Sequence, residues 1–411
     1  MQGEPTMRLT GLDGLRGMFM VFMVTTHFAV LYPAELQYLK FHYFGYVEDA
    51  QGFVFLSGVT VGIAYGRRLI RDGVASMFRS VLRRCRKIYL YQAVLVISVT
   101  LLALAFWDGT TRDGMFAAFV EHPIAYPMTS LGLLTAAPFI NILPLYIILM
   151  AVTPVILWSL SRGHGLQVVT VSVLFWFLAQ TGLPGLFLDS VGIVLAAYDI
   201  DVLVGTNFSV FAWQVLYVAG LVLGYKSVEG QLDLSHFTSK KCARLLPIVL
   251  GAAFLFAVLD IAENLGFADF LAGSLAGSGR RYQLPIIFVA SFVIEAYLLA
   301  WLLLAGSESR FATIRAASHG LNGFFRLPFL ILIGQHSIWV YAYHVLFLYC
   351  WVLFADVGEP GFVQRNLIFL LVGASTYPVA RLGAWLKARA QTKEVARSVS
   401  RGSNTCAEST I

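Results

Sequence analysis

Ten stretches of this chain are apolar for long enough to cross a lipid bilayer, and they leave little room for any other fold. They run near 12–32, 50–66, 88–107, 139–160, 166–181, 210–225, 245–265, 283–305, 327–352 and 366–386, against a requirement of about 20 residues for a hydrocarbon core of about 30 Å. The second, fifth and sixth are short. With 58% hydrophobic and 13% charged residues, the chain is too apolar for an ordinary soluble domain. The expected architecture is all-α: a polytopic helical bundle of about ten transmembrane helices.

Basic residues set the expected orientation, because Lys and Arg collect in cytoplasmic loops. With the N-terminus inside, the inner segments hold 22 of the 29 Lys and Arg; five (Lys40, Arg112, Arg280, Arg281 and Arg365) lie outside, and Arg16 and Arg381 lie within spans. An even number of crossings with both termini cytoplasmic satisfies this count. The net charge of +6 then reports topology and contact with anionic lipid, and no nucleic-acid motif is present. The first apolar run is too long for a cleavable signal core and is expected to stay as an anchor. Cys85, Cys242 and Cys406 fall on the inside and Cys350 near the outer end of its span, so no structural disulfide is expected.

No repeat of fixed period and no separate soluble domain is evident. The chain divides into a cytoplasmic arm (1–11), a transmembrane domain (12–386) and a tail (387–411) whose polar composition reads as disordered. The two largest outer segments, 108–138 and 182–209, read either as connecting loops or as a lid or platform for a hydroxyl-rich ligand.

Within the first span, Arg16 and His27 are separated by eleven residues, about three helical turns, so both leave one face about 16 Å apart along the axis. Ionisable groups at membrane depth are costly and usually functional. Snorkelling of Arg16 and a packing hydrogen bond at His27 are the competing reading. Asp13, three residues before Arg16, is spaced to pair with it. The inner segment Arg67–Lys87 holds eight cations, of which Arg79, Arg83, Arg84, Arg86 and Lys87 directly precede the third span. They suit bidentate capture of phosphates, although positive-inside anchoring also predicts basic residues there.

In the ninth span, Gly334, Ser337, Tyr341 and His344 are spaced to share one helix face, with His336 about 80° away from His344 by the same geometry. His344 and His27 lie at similar depth and are expected to meet. Two imidazoles there suit general-base work at an alcohol; a packed histidine is the alternative for His344. Glu295, Asp260 and Glu263 are the remaining intramembrane acids, able to counter a charge or fix a histidine tautomer. At the outer mouth of the second span, Glu48 and Asp49 precede Gly52 to Gly58, where Ser57 and Gly58 permit close helix approach. No metal site is expected.

These residues carry a resemblance. Leu12-Asp13-Gly14-Leu15-Arg16-Gly17, then His27, then Phe53-Val54-Phe55-Leu56-Ser57-Gly58, is similar to the opening of the membrane acyltransferase-3 superfamily. Phe78-Arg79 through Ile88-Tyr89 resembles its basic approach to the third span, and Gly334, Ser337, Tyr341 and His344 match its late Gly-Ser-Tyr-His helix. Asn141-Ile142-Leu143-Pro144-Leu145-Tyr146 and Phe53 to Gly58 look most like the OpgC branch, associated with succinylation of osmoregulated periplasmic glucans. The resemblance covers residues 8 to about 386. Leu90 stands where the superfamily often has Pro, and the outer hydrolase-like domain of some members is absent.

The resemblance implies a bacterial inner-membrane O-acyltransferase that takes succinyl-CoA or acetyl-CoA as co-substrate and acylates a hydroxyl of a periplasmic glucan or envelope polysaccharide, with glucan biosynthesis proteins as partners. Arg16 and the Arg79–Lys87 cluster are expected to meet the phosphates, His27 to act as general base, and His344 with Tyr341 to orient the hydroxyl or stabilise the oxyanion. Asp13, Glu48, Asp49, Ser57, Ser337 and Glu295 are supporting candidates. A continuous polar conduit is expected to join the donor side to the acceptor side. A transporter or flippase using the same buried ions is the rival class.

Overall fold

The computed structural model describes residues 4–39, 45–109, 114–197, 204–205, 208–266, 281–355, 358 and 360–407. Lys40, Arg112 and Arg280 lie outside the described residues. In chain order the helices are α1 (Glu4–Leu31), α2 (Asp49–Phe106), α3 (Ala117–Glu121), α4 (Ala125–Leu131), α5 (Ile142–Ser161), α6 (Gly165–Gln180), α7 (Leu183–Ala196), α8 (Val210–Val228), α9 (Lys240–Asn264), α10 (Ile286–Ala305), α11 (Ala312–Phe324), α12 (Pro328–Gln335), α13 (Ser337–Phe354) and α14 (Phe362–Ala407). There is no strand among the described residues. Eight helices are long and apolar enough to cross a membrane, or up to ten if each of two bent pairs counts as one span. The protein is a multi-pass membrane protein.

Helix α2 is one of the eight, yet it is two arms. Gly73 adopts φ 80°, ψ 174° within it, a conformation that costs glycine little and would strain other residues. Arg68 Nη1 donates to Ser80 Oγ at 2.6 Å, whereas twelve residues of straight helix would separate them by about 18 Å. The arms therefore fold toward each other at Gly73, and the second and third apolar stretches become neighbours. The basic segment between them, read as a loop, is helical on both sides of that break.

Elsewhere the breaks are chemical punctuation. Ser239 caps α9 by accepting the backbone N–H of Cys242 at 3.2 Å, one of the otherwise orphaned donors of a helix start. Pro328 opens α12, where its missing N–H costs nothing. The ninth apolar stretch is not one helix: α12 stops at Gln335, His336 leaves the helical region, and α13 starts afresh at Ser337. Likewise 182–209 is not a simple loop, since Gly182 turns the chain at φ 78° and α7 follows, bent 62° from α6. The outer segment 108–138 contains α3 and α4. The backbone of the tail continues helically to Ala407; its Ala, Lys, Glu and Arg residues are good helix formers despite their polarity.

Packing is closest where glycines face backbone. A Cβ on Gly58 would lie 2.2 Å from the Tyr217 carbonyl oxygen, so the first arm of α2 and α8 touch main chain to main chain, as Ser57-Gly58 led one to expect. Trp213 and Tyr217 of α8 are among the largest fully buried side chains. By contrast α9 turns Ile248, Leu250, Phe254 and Leu255 outward, an apolar face suited to lipid tails.

Candidate functional site

Arg16 owes its position to a crossing of α1 with α12. A Cβ on Gly14 would fall 1.7 Å from the Phe325 carbonyl oxygen, on Gly17 1.9 Å from that of Leu330, and on Gly334 1.9 Å from that of Asp13. Only glycine permits such contact, so the Gly residues flanking Arg16 set how near α12 comes. Arg16 is thereby turned inward: its Nη2 donates to Ser337 Oγ at 3.3 Å, Nη1 is 3.8 Å from Asp13 Oδ1, and the guanidinium carbon lies 5.9 Å from the Phe53 ring centre. Its Nε is buried with no hydrogen-bond partner. Gln335 Nε2 donates to the other Asp13 oxygen at 3.1 Å, fixing that carboxylate. Gly334 belongs to this crossing in α12 and not to the α13 face predicted for it.

Beside Arg16 is a cavity of about 40 Å³ walled by Met20, Phe53, Ile88, Leu143, Tyr146 and Tyr341, with Arg84 and Ser337 as its further polar members. A more open groove of about 320 Å³ adjoins it, lined by Tyr65, Arg68, Ser80, Arg83, Arg84 and Lys87. Arg84 lines both. Of the five predicted cations, Arg83, Arg84 and Lys87 therefore share one groove. Arg79 is exposed and donates to the carbonyl of Ala75 at 3.3 Å, and Arg86 is exposed and lines neither space. Arg68 joins the groove instead, which its position before the Gly73 break concealed.

The two histidines meet. His27 Nδ1 and His344 Nε2 are 3.0 Å apart, and the rings stack at 5.2 Å between centres. His344 is 0% exposed, and its Nδ1 has no hydrogen-bond partner. Within the pair one facing nitrogen donates and the other accepts, according to the tautomer.

Tyr341 stands between cavity and histidines. It lines the cavity, its ring packs edge-on at 4.9 Å from His344, and its hydroxyl donates to the Phe139 carbonyl at 2.5 Å. Phe139 has φ 62°, a left-handed conformation costly for a bulky residue, and its ring sits 4.8 Å from His27. Tyr349 donates to the neighbouring Pro138 carbonyl at 3.1 Å. The end of the outer segment is thus pinned over the histidine pair by two tyrosines of α13. The expected conduit is corrected accordingly: its walls are mostly apolar, Met20, Ile88 and Leu143 among them, and the cavity lining reaches Tyr341 without including either histidine.

The supporting candidates separate. Asp49 is buried and accepts from Thr26 Oγ1 at 2.6 Å, one residue from His27. Glu48 begins α2, its N–H donated to Gln51 Oε1 at 2.6 Å. Ser57 is fully buried with its Oγ unpartnered. Glu295 accepts from Ser291 Oγ at 3.3 Å and faces Gly45, in neither the cavity nor the groove. Thr26 and Phe139 were not anticipated, and Tyr146 entered only through the motif that carries the resemblance; Thr26 carried a signal in its adjacency to His27, whereas nothing local marked Phe139. Among the described residues no group of three or more His, Cys, Asp or Glu is placed to hold a metal ion.

No curated protein and no solved structure matches the chain. One family does: the description "OpgC protein" fits residues 8–388, which take in α1, the basic groove and the histidine pair together. That match covers nearly the whole chain, so the protein belongs to the OpgC family.

Proposed function

We propose that this protein is an inner-membrane O-acyltransferase that moves a succinyl group from cytoplasmic succinyl-CoA to a hydroxyl of a periplasmic glucan, with both chain termini in the cytoplasm. Acetyl-CoA is the other donor the same reading admits. One observation carries it: two imidazoles 3.0 Å apart lie beyond Tyr341, which lines a cavity that shares Arg84 with a basic groove. Family membership and the resemblance described above support the same chemistry.

In this reading the donor's phosphates meet Arg68, Arg83, Arg84 and Lys87, where guanidinium forks give paired charge-assisted contacts. The acyl-bearing arm runs along the apolar wall of Met20, Ile88 and Leu143. The acceptor oxygen attacks the thioester carbonyl as its proton passes to His27 Nε2; the carbon–sulfur bond breaks, and the proton returns to the departing thiolate of coenzyme A. His344 Nε2 accepts the His27 Nδ1–H throughout and so stabilises the transient imidazolium. Opening at Tyr341 and Phe139 joins the two sides.

The test is chemical. Mass spectrometry of periplasmic glucans from cells carrying the wild type should show acyl groups that disappear with His27→Ala at equal membrane abundance. Acylation that persists in that variant overturns the assignment. A transporter would give no binding of acyl-CoA to the purified protein.

A further inference from the structure

Gln92 lies in the second arm of α2, four residues beyond Ile88 and therefore on the same helix face. Ile88 lines the cavity. The Gln92 side chain is 0% exposed, and neither its Oε1 nor its Nε2 has a hydrogen-bond partner. An amide buried without partners is costly, and the cost is worst where no water competes. A leucine would pack there without that penalty, so the amide calls for an explanation.

Its height in the bundle supplies one. Tyr91 meets Trp339 with ring centres 6.1 Å apart, and Phe106 meets Phe354 at 5.2 Å. Fifteen residues separate the members of each chain segment, so the second arm of α2 and α13 run parallel in constant register. Gln92 is then level with Val340 and Tyr341, above Ser337 where Arg16 is held and below His344. That is the level at which the cavity ends.

We propose that Gln92 is a positioning residue for the acyl donor, its amide pairing with the amide of the pantetheine arm that lies next to the thioester. The proposal rests on the donor being an acyl-CoA, as read above. A primary amide can donate to the carbonyl of a secondary amide or accept from its N–H, so either edge of the arm's amide has a partner in Gln92. Two carbons separate that amide's nitrogen from the sulfur, a distance on the order of one helical turn, and about one turn separates the level of Gln92 from that of His344. Pairing at Gln92 would therefore set the thioester beside the histidines, while the phosphates remain at Arg84.

The experiment compares two probes on the full-length protein in lipid nanodiscs: coenzyme A, and adenosine 3′,5′-bisphosphate, which lacks the arm. Gln92→Leu should weaken coenzyme A about tenfold and leave the bisphosphate within about twofold, with an unfolding temperature equal to or above wild type because a buried unpaired amide has been removed. Gln92→Met is the second variant, should the leucine chain not be recovered folded. Unchanged coenzyme A affinity overturns the proposal, as does an equal loss for both probes, which would assign Gln92 to packing alone. A wild type that binds neither probe overturns the acyl-CoA reading itself, so the two failures are told apart.

Discussion

His27 and His344 are 317 positions apart in the chain and 3.0 Å apart in space, Nδ1 to Nε2. Removing the base and removing its partner should have different consequences. His27→Ala is expected to abolish acyl transfer, and His344→Ala to lower kcat by about 10²-fold, within the range a positioned proton-transfer group contributes. Donor KM should stay near wild type in the latter. Quantifying glucan acylation by purified variants checks both.

The basic segment is not uniform. Arg84→Ala, lost from both groove and cavity, should raise the KM for acyl-CoA about tenfold, in keeping with one charge-assisted contact. Arg79→Ala and Arg86→Ala should leave it within about twofold, since exposed cations of this kind contribute little. Steady-state kinetics across the three variants makes the comparison.

The hydroxyl of Tyr341 holds a strained carbonyl. Tyr341→Phe removes that bond, worth about 1 kcal/mol, and frees Phe139 to leave its left-handed conformation. The expected result is faster hydrolysis of acyl-CoA in the absence of acceptor, measured as free thiol release, with a small fall in unfolding temperature.

Gly17 has no room for a side chain. Gly17→Ala forces α12 away from α1 and should cost about 1–3 kcal/mol as overpacking, together with the Arg16 to Ser337 contact. A lowered unfolding temperature with weakened coenzyme A binding is the expected pair of results.

Outside the spans, Glu35 forms an ion pair with Arg365 and accepts from Asn366 Nδ2 at 2.7 Å. Its own backbone N–H first, then Asn366 and Arg365, holds its carboxyl below the usual range. A depressed folded-state value means this clamp stabilises above the unfolded pKa and is lost as pH falls through the folded one. Unfolding temperatures of wild type and Glu35→Gln should thus differ at neutral pH and converge as pH falls from the unfolded-state value through the lower folded-state one.

The spans were legible because apolar length is a global property that survives local irregularity. So was the shared face of Arg16 and His27, since it depends only on the 3.6-residue period inside one unbroken helix. The break at His336 was not, because Pro328 sits before it and the apolar residues on either side of Gln335-His336-Ser337 read as one continuous span. Asp72-Gly73 did carry a turn signal, masked by the cations on both sides, and with it the pairing of Arg68 with Ser80 was hidden. The role of Phe139 depends on a φ angle and on Tyr341 some 200 positions away, neither of which a local pattern encodes. Gln92 looked like one polar interruption in a long apolar run, and only the register of two helices gives its height.

Arg84 walls the open groove and the inner cavity alike. On the acyl-CoA reading proposed above, a donor passing from one to the other meets a cation at the doorway, so sorting by charge precedes any fit further in. Small uncharged thioesters would gain nothing at that threshold, however well they suited the chamber behind it, whereas a donor bearing its own phosphates is drawn across.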